Sequence, residues 1–489
     1  MSAPDLILLA MAIPLIGAVL IMLAGKSPNL RETVTFATAI SLFAVVVSLV
    51  SGVFHGERPA VSLIEILPGL DIRFEIEPLG MMFACIASGL WILNSAYSIG
   101  YMRAKKEHAQ TRFYACFAIA IFGAIGVATA GNMMTLFIFY EVLTVSTYPL
   151  VAHHQDAEAR RSGRVYLGIL LGTSIGLQLV AIIWTWFATG TLDFREGGIL
   201  NGHLEGPLLG LLLLLYVYGI GKAALMPLHR WLPAAMVAPT PVSALLHAVA
   251  VVKAGVFTVL KVIVYIFGAE FLRETGTGDW LMYIAGATVL LASFVAMTKD
   301  NLKARLAYST VSQLSYVILG AALFTPLSVV GAGMHIAMHA VGKITLFFCA
   351  GAIYVASGKT EISDMKGIGQ VMPVTLFAFF VGALSVIGLP PMGGSWSKYY
   401  LALGAYDAGE LVFIGVLMVS SLLNVAYLLP VVGRGYFSRP DGADGSEKPA
   451  IKEAPMFCLI PLCLTAFGCL AMFFYADQLY QFLRPIGGG

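Results

Sequence analysis

Charged side chains are scarce in this sequence. Asp, Glu, Lys and Arg make up 11% of its 489 residues, whereas hydrophobic residues make up 59%. Soluble domains carry about 25% charged residues, so the composition predicts a multi-pass membrane protein with little room for a soluble domain. The formal net charge is only +2, and no basic patch alternates with aromatic residues, so we expect no nucleic-acid partner.

Paired cysteines are also missing. All six cysteines lie in apolar stretches, and none forms a CxxC pair; they are Cys85, Cys116, Cys349, Cys458, Cys463 and Cys469. Small buried hydrophobic side chains are therefore favoured over a disulfide framework, a zinc site or an iron–sulfur cluster. We expect no cofactor and no metal site.

Long apolar runs fill most of the chain. Runs of about 20 apolar residues cross a bilayer as helices, which satisfy their own backbone hydrogen bonds. We predict about 14 spans, placed by hydropathy near residues 5–24, 34–54, 78–101, 113–130, 132–152, 165–189, 207–230, 241–268, 279–297, 306–324, 328–356, 372–402, 410–436 and 455–483. Residues 61–77 alternate in polarity and predict an exposed loop or a hairpin. The polar stretch 438–449 predicts a loop between the last two spans.

Positive charge is distributed unevenly between the two sets of loops. Loops on one side carry about 19 Lys and Arg residues and those on the other about 5, an asymmetry that places the basic loops in the cytoplasm. An even number of spans then predicts that both termini lie outside a bacterial cytoplasmic (inner) membrane.

Arginine is absent from the deep parts of the spans, whereas one carboxylate and five lysines are present: Glu141, Lys222, Lys253, Lys261, Lys343 and Lys398. An ionised group in hydrocarbon costs about 2.5–3.5 kcal/mol on insertion scales. A desolvated lysine can lose its proton, but an arginine effectively cannot. The pattern therefore favours protonation chemistry over voltage sensing. Lys261, nearer a helix end, is expected to be a snorkelling anchor.

Two spans combine a lysine with a helix break. Lys222 lies about one turn before Pro227, and Pro390 and Pro391 precede Lys398. Proline removes a helix hydrogen bond, and broken helices near the midplane carry the ion sites of transporters. The alternative is a structural kink with a snorkelling lysine. Two such breaks in the two halves of one chain point to a repeated transporter unit.

A titratable stripe occupies one helix face. His335, His339 and Lys343 recur at i, i+4 and i+8, which favours a proton wire because histidine changes charge near neutral pH. A metal site and a passive polar seam are the alternatives; metal is less favoured because no deep carboxylate or thiol is placed to complete the site. His247 and Lys253 share an earlier span, 241–268, which follows a proline-rich start.

Glu141 requires a proton or a cationic partner. Burial raises a carboxyl pKa and lowers a lysine pKa, while pairing does the opposite. A Glu–Lys pair whose separation changes could therefore switch the lysine between charged and neutral. We expect Lys222 to be the partner.

These segments together resemble the antiporter-like family shared by Mrp-type sodium/proton antiporters, respiratory complex I and membrane-bound hydrogenases. The resemblance runs from about residue 113 to residue 403. It rests on several motifs in family order: Phe139-Tyr140-Glu141, Gly221-Lys222 with Trp231-Leu232-Pro233, residues 243–247 with Lys253, residues 302–310, the stripe His335-His339-Lys343, and Leu389-Pro390-Pro391 with Lys398.

The resemblance implies an all-α integral membrane fold of 14 transmembrane helices, with two inverted five-helix repeats that each contain a broken helix. It divides the chain into N-terminal helices (1–112), a first repeat (113–268), a second repeat (279–436) and a C-terminal helix (455–489). Each repeat would hold a half-channel. Glu141 would modulate Lys222, Lys398 would be the terminal switch, and the path between them would be formed by His247, Lys253, His335, His339 and Lys343.

Within the family, D-type subunits of Mrp antiporters fit best. The chain ends soon after its last predicted span, without a long lateral helix or extra domains. One departure is Gly394-Ser395-Trp396, where many relatives have Gly-Phe, and we expect the indole to narrow the break.

The implied function is proton translocation in exchange for Na⁺ or another monovalent cation, without bond-making chemistry in this chain. The implied partners are Mrp A, B, C, E, F and G-like subunits and the lipid bilayer. The alternatives are a proton-pumping subunit of a redox complex and a scaffold that transports nothing. Neighbouring genes would separate the first two, since Mrp operons lack iron–sulfur and nickel–iron subunits.

Overall fold

The computed structural model describes residues 2–438 and 450–488, and these fold mainly into α-helices. The predicted polar loop at 438–449 lies almost wholly outside the described residues. The first half contains α1 (Ala3–Leu23), α2 (Pro28–Phe54), α3 (Pro78–Ala104), α4 (Gln110–Ala128), α5 (Met133–Val151), α6 (Ala157–Thr173), α7 (Leu179–Thr189), α8 (Gly206–Gly219), α9 (Trp231–Ala234), α10 (Thr240–Ala244), α11 (Val251–Val262) and α12 (Ala269–Thr275).

The second half is also formed mainly by α-helices. It contains α13 (Trp280–Thr298), α14 (Leu302–Ala322), α15 (Pro326–Ser357), α16 (Ile368–Val371), α17 (Pro373–Ile387), α18 (Gly394–Asp407), α19 (Leu411–Phe437), α20 (Met456–Phe474) and α21 (Ala476–Leu483). Short π-helical segments join α6 to α7, lie between α10 and α11, and follow α11: Ser174–Gln178, Leu245–Val249 and Ile263–Phe267.

Eleven helical segments in the described ranges are long and apolar enough to cross a membrane, and α8 and α17 are shorter apolar helices. The prediction of an all-α membrane fold is confirmed, because apolar composition and helix length are local properties of the sequence. The count of 14 spans stays a prediction, since the broken segments are not single long helices.

The N-terminal third carries a hairpin outside the helices. Strand β1 (Ala60–Leu67) pairs with β2 (Leu70–Glu75) in antiparallel register, from Ala60 opposite Glu75 to Leu67 opposite Leu70. The alternation of residues 61–77 therefore reflects a two-stranded hairpin, with β1 largely exposed.

Two helical segments form the centre of the molecule. In the segment that contains α10 and α11, every residue of the most apolar 18-residue stretch is buried, and in α15 94% of the residues in the corresponding stretch are buried. The 32-residue helix α15 begins at the capping box of Thr325 and packs against α14, α17, α18 and α20. In contrast, only 39% and 33% of the residues in the most apolar stretches of α1 and α2 are buried, so their apolar faces are available to lipid.

Both expected helix breaks are present. Helix α8 ends at Gly219, and Pro227 lies in the irregular segment before α9; helix α17 ends at Ile387, and Pro390 and Pro391 precede α18. The Met226–Pro227 and Pro390–Pro391 peptide bonds are cis. Gly388 has φ +89°, and a Cβ there would lie 2.7 Å from Cδ of Lys398. This position requires glycine, both for its left-handed backbone and for the close approach of the lysine.

Candidate functional site

Lys222 lies at the first helix break with its side chain directed at α5. It is fully buried, and Nζ donates to the carbonyl oxygen of Tyr140 at 2.8 Å and to Oγ1 of Thr144 at 2.5 Å. The ammonium group also lies 3.1 Å from the centre of the Tyr140 ring. A carbonyl, a hydroxyl and a π face together solvate a cation in place of water.

Glu141 lies on the same turn of α5. Both of its carboxylate oxygens are buried, and neither has a hydrogen-bond partner within the described ranges. Lys222 therefore contacts Tyr140 and Thr144, which flank the glutamate in sequence, without a direct hydrogen bond to Glu141 itself. An unpaired buried carboxylate is costly unless it is protonated or a partner moves toward it.

The two central helices meet at a lysine and a histidine. Nζ of Lys253 on α11 lies 2.5 Å from Nδ1 of His339 on α15. Both side chains are at least 97% buried. Since a neutral imidazole nitrogen accepts what an ammonium donates, a proton can be located on either partner.

The contact series continues along α15 to the second break. The rings of His335 and His339 are 5.8 Å apart, and Nδ1 of His335 lies 2.9 Å from Oγ of Ser397. The Tyr316 ring stacks on His335 at 5.4 Å and lies 4.8 Å from Nζ of Lys398. We refer to Lys253, His339, His335 and Lys398 as the central row.

Lys398 is held as Lys222 is, by one carbonyl and one hydroxyl. Nζ donates to the carbonyl oxygen of Ile387 at 2.8 Å and to Oγ of Ser421 at 3.0 Å. A cavity of about 690 Å³, lined by Gly388, Lys398 and Ser421 among mainly apolar residues, adjoins it. Leu389, Tyr399 and Met418 in this lining are exposed apolar residues, so Lys398 lies at the edge of the interior behind an apolar surface.

Lys343 lies on α15 with His335 and His339, but its side chain binds residues of α14. Its Nζ donates to Oγ of Ser309 at 2.7 Å and to the carbonyl oxygen of Leu306 at 3.2 Å, both on α14. The hydroxyl of Tyr427 donates to the same Ser309 at 2.9 Å. Residues 335, 339 and 343 thus share one helix, but the lysine reaches a different neighbour.

His247 is buried on the π-helical segment before α11. Its ring packs on Phe347 at 4.6 Å, and neither ring nitrogen has a hydrogen-bond partner among the described residues. The structure therefore places His247 in the central interior without a hydrogen bond to the central row.

The expectation that Lys261 snorkels to water is wrong. The residue is 1% exposed, and Nζ lies 3.3 Å from Oε1 of Glu77 and 3.0 Å from the carbonyl oxygen of Ala130. Glu77 also accepts hydrogen bonds from the backbone N–H groups of Leu79 and Gly80 as the N-cap of α3. A carboxylate before a proline-led apolar helix is a helix-start signal, and that signal could have identified Glu77.

Aromatic and hydroxyl residues that were not among the predicted site residues lie between the charged groups. Tyr316 and Ser397 link His335 to Lys398, and Thr144 binds Lys222. Isolated Tyr, Ser and Thr residues are common in apolar helices, so the sequence offers no signal that separates these from packing residues.

At the second break, the ring of Trp396 packs near the rings of Phe473 and Tyr399, with ring centres 5.8 and 6.0 Å apart.

The arrangement suits relay of a small cation such as a proton. Lys222 and Lys398 lie at the two helix breaks. Between α15 and the second break lie His335, Ser397 and Tyr316, whose side chains can both donate and accept hydrogen bonds. Each group is buried, so the charge it carries depends on its immediate neighbours and not on bulk water.

The chain matches one protein family and is similar to several known proteins of respiratory and antiporter complexes. The NADH:quinone oxidoreductase/Mrp antiporter transmembrane family matches residues 130–424. The chain is 32% identical over 425 residues to NADH-quinone oxidoreductase subunit N of Desulforudis audaxviator, with 84% of each chain covered. It is 24% identical over 481 residues to the D-type subunit of the Na(+)/H(+) antiporter of Alkalihalophilus pseudofirmus, covering 98% of this chain and 95% of the relative. Other curated relatives are longer, and the chain spans 40–58% of three of them.

The fold has a solved counterpart. The chain superposes on a chain of the Mrp complex from Dietzia sp. with a TM-score of 0.87 and 21% identity, covering 100% of this chain and 97% of the other. At this identity the likeness establishes the fold alone.

Proposed function

The chain belongs to the NADH:quinone oxidoreductase/Mrp antiporter transmembrane family, and from this premise we propose that it is the proton-translocating subunit of a multisubunit monovalent cation/proton antiporter. Na⁺ is the proposed exchanged cation, as in the name of the antiporter relative from Alkalihalophilus pseudofirmus. The single observation that carries the proposal is the central row, in which Lys253 lies 2.5 Å from His339 and His335 connects to the segment of Lys398.

The proposed mechanism uses lysines as proton carriers. A buried lysine keeps its proton only while carbonyls, hydroxyls or a carboxylate compensate its charge. Movement of Glu141 toward Lys222 would favour the charged lysine, and movement away would favour proton release toward the interior. Lys253, His339 and His335 would then pass the proton to Lys398, the terminal switch at the second break.

His247 and Lys343 are proposed as side groups of this path. Neither has a hydrogen bond to the central row. Both are buried near it, and a charge on Lys343 would act on the row through a low-dielectric interior. The transmembrane ion gradient supplies the energy, since moving one charge across 100 mV is worth about 2.3 kcal/mol.

The proposed setting is a heteromeric complex in the bacterial cytoplasmic membrane, with both termini outside. Its partners would be subunits like Mrp A, B, C, E, F and G. Residues 113–268 and 279–436 would form the two inverted repeats. The chain itself would be a transport subunit and not an enzyme.

The test is cation-dependent proton flux in inverted membrane vesicles. The chain is co-expressed with its neighbouring genes as wild type, Glu141→Ala and Lys398→Ala, with assembly measured in parallel. Lys26→Ala is the matched control, because Lys26 is an exposed lysine just after α1. We expect Na⁺ to collapse a preformed pH gradient in the wild type and the control, and the two assembled variants to lose that response.

Three other results would contradict the proposal. Full flux in assembled Glu141→Ala and Lys398→Ala would remove these residues from the path. No effect of any cation, together with proton uptake driven by oxidation of a donor, would assign the chain to a redox-driven pump. Failed assembly of both variants, with normal assembly of Lys26→Ala, would indicate a scaffold.

A further inference from the structure

Three histidines and a glutamate meet at two turns outside the membrane spans. Glu107 and His108 lie between α3 and α4, and His153 and His154 follow the end of α5. Because the helices α4 and α5 pack against each other along their length, they bring the two turns together. None of these four residues belongs to the proposed proton path.

The donor atoms are close enough to share one ion. One ligand atom from each of Glu107, His108 and His154 lies within 4.8 Å of the others. Oε2 of Glu107 lies 3.6 Å from Nδ1 of His154 and 3.7 Å from Nε2 of His153. Tetrahedral zinc with bonds of about 2.0–2.1 Å needs donor atoms about 3.3–3.4 Å apart, so only small side-chain movements separate this cluster from ligation.

His153 supplies an independent indication of a ligand. Its side chain is completely buried, yet neither ring nitrogen has a hydrogen-bond partner among the described residues. A buried unpartnered imidazole costs free energy, and its Nε2 is directed at the carboxylate of Glu107. A metal ion bound beside Glu107 would supply the partner that these ring nitrogens lack.

We propose that Glu107, His108, His153 and His154 form a binding site for a divalent transition-metal ion of the zinc class. Three imidazole nitrogens and one carboxylate oxygen are a donor set that zinc accepts, and imidazole is not a preferred ligand of Mg²⁺ or Ca²⁺. This inference does not depend on the proposed transport function. It departs from the sequence-based expectation that the chain holds no metal.

The proposed metal site adjoins a cavity. Glu107 and His154 line a cavity of about 220 Å³ whose other wall includes Asn301 and Lys303. Nζ of Lys303 donates to the carbonyl oxygen of Ala238 at 2.6 Å. An ion bound to the cluster would add positive charge at this cavity and would tie the α3–α4 turn to the end of α5.

The experiment measures zinc binding to the full chain, purified in detergent with an affinity tag that contains no histidine. Isothermal titration with Zn²⁺ gives the stoichiometry and affinity, and the visible absorption of bound Co²⁺ reports tetrahedral geometry. The variants are Glu107→Gln and the double variant His108→Gln/His154→Gln, whose residues are exposed or partly exposed. Because His153 stays in place in these variants, the buried packing of the turn is preserved. His203→Gln is the matched control, since His203 is an exposed histidine on another loop.

We expect one zinc ion per chain in the wild type and in His203→Gln. We expect the double variant to lose at least about 100-fold in affinity, because changes in the outer shell alone cost about 10–100-fold. Equal affinity in wild type and double variant would overturn the proposal, as would the absence of binding to wild-type protein whose helical content is intact. An octahedral Co²⁺ spectrum that is unchanged in the variants would indicate surface binding only and would also overturn it.

Discussion

Nζ of Lys253 and Nδ1 of His339 are 2.5 Å apart, and this contact joins α11 to the central helix α15. The two residues are separated by 86 positions in sequence and belong to the two predicted repeats. Their hydrogen bond directly joins a titratable group of the first half to one of the second.

Breaking this contact should stop flux without unfolding the chain. We expect Lys253→Ala and His339→Asn each to reduce cation-dependent proton flux by at least about tenfold, because a missing relay group costs on the order of 10²–10⁴ in rate when proton transfer limits. The double variant should be no slower than the worse single variant, since the two groups act as a unit. Vesicle flux assays on assembled protein measure this, and losses that multiply would show that the two act separately.

Removing the carboxylate of Glu77 should destabilise the chain. Glu77→Gln leaves the ammonium group of Lys261 buried without its partner at 3.3 Å, and breaking a buried pair costs about 3–5 kcal/mol. Thermal unfolding in detergent should show a clear loss of stability. Replacing both residues, as Glu77→Gln/Lys261→Met, should restore most of it. The control is Glu270→Gln, whose carboxylate is 78% exposed beside Arg273; a loss as large as that of Glu77→Gln would refute the explanation.

Gly255 should be intolerant of any side chain. A Cβ at this position would clash with the backbone of Lys222 and Ala223, so Gly255→Ala forces α11 away from the first helix break at a cost of about 1–3 kcal/mol. We expect lower thermal stability and reduced flux, because the lysine at the break moves. Gly168→Ala on α6 has nothing within 4 Å of the new Cβ and should be neutral or stabilising by up to about 1 kcal/mol. Equal thermal stability and equal flux in Gly255→Ala and Gly168→Ala would contradict this explanation.

His153 should make stability depend on pH in the absence of metal. Its pKa is lowered from 6.5 to about 4 in the folded chain, so between these values the unfolded chain binds a proton that the folded chain does not. The free energy of unfolding should therefore fall as the pH falls from about 6.5 toward 4. The measurement is the unfolding temperature against pH with EDTA present. His153→Gln should reduce the slope of this dependence, whereas His203→Gln should keep it. An unchanged slope in His153→Gln would show that other groups cause it.

Local sequence properties predicted the architecture well. Apolar runs identified the helices because length and hydropathy alone decide whether a segment can span a bilayer. The prolines near Lys222 and Lys398 identified the two segments where helices end, since proline cannot donate the backbone hydrogen bond that a helix requires. The 3.6-residue period placed His335, His339 and Lys343 on one helix for the same local reason.

The contacts of those residues were not predictable. Lys343 shares a helix with His339 but binds Ser309 on α14, while His339 meets Lys253 on α11. Which of the surrounding helices a buried side chain meets depends on how those helices pack. Lys261 shows the same limit, because its partner Glu77 lies 184 positions earlier and only the packing of α3 near α11 brings them together.

The sequence by itself therefore determined that this chain is a helical membrane protein with two broken spans and a set of buried lysines and histidines. Hydropathy, helix period and proline act over a few residues, and so they can be read without neighbours. The tertiary structure alone decided which lysine meets which histidine, that Tyr316 and Ser397 bridge the second break, and that two turns assemble three histidines around Glu107. These are contacts between distant segments, and their distances are set by the packing of whole helices.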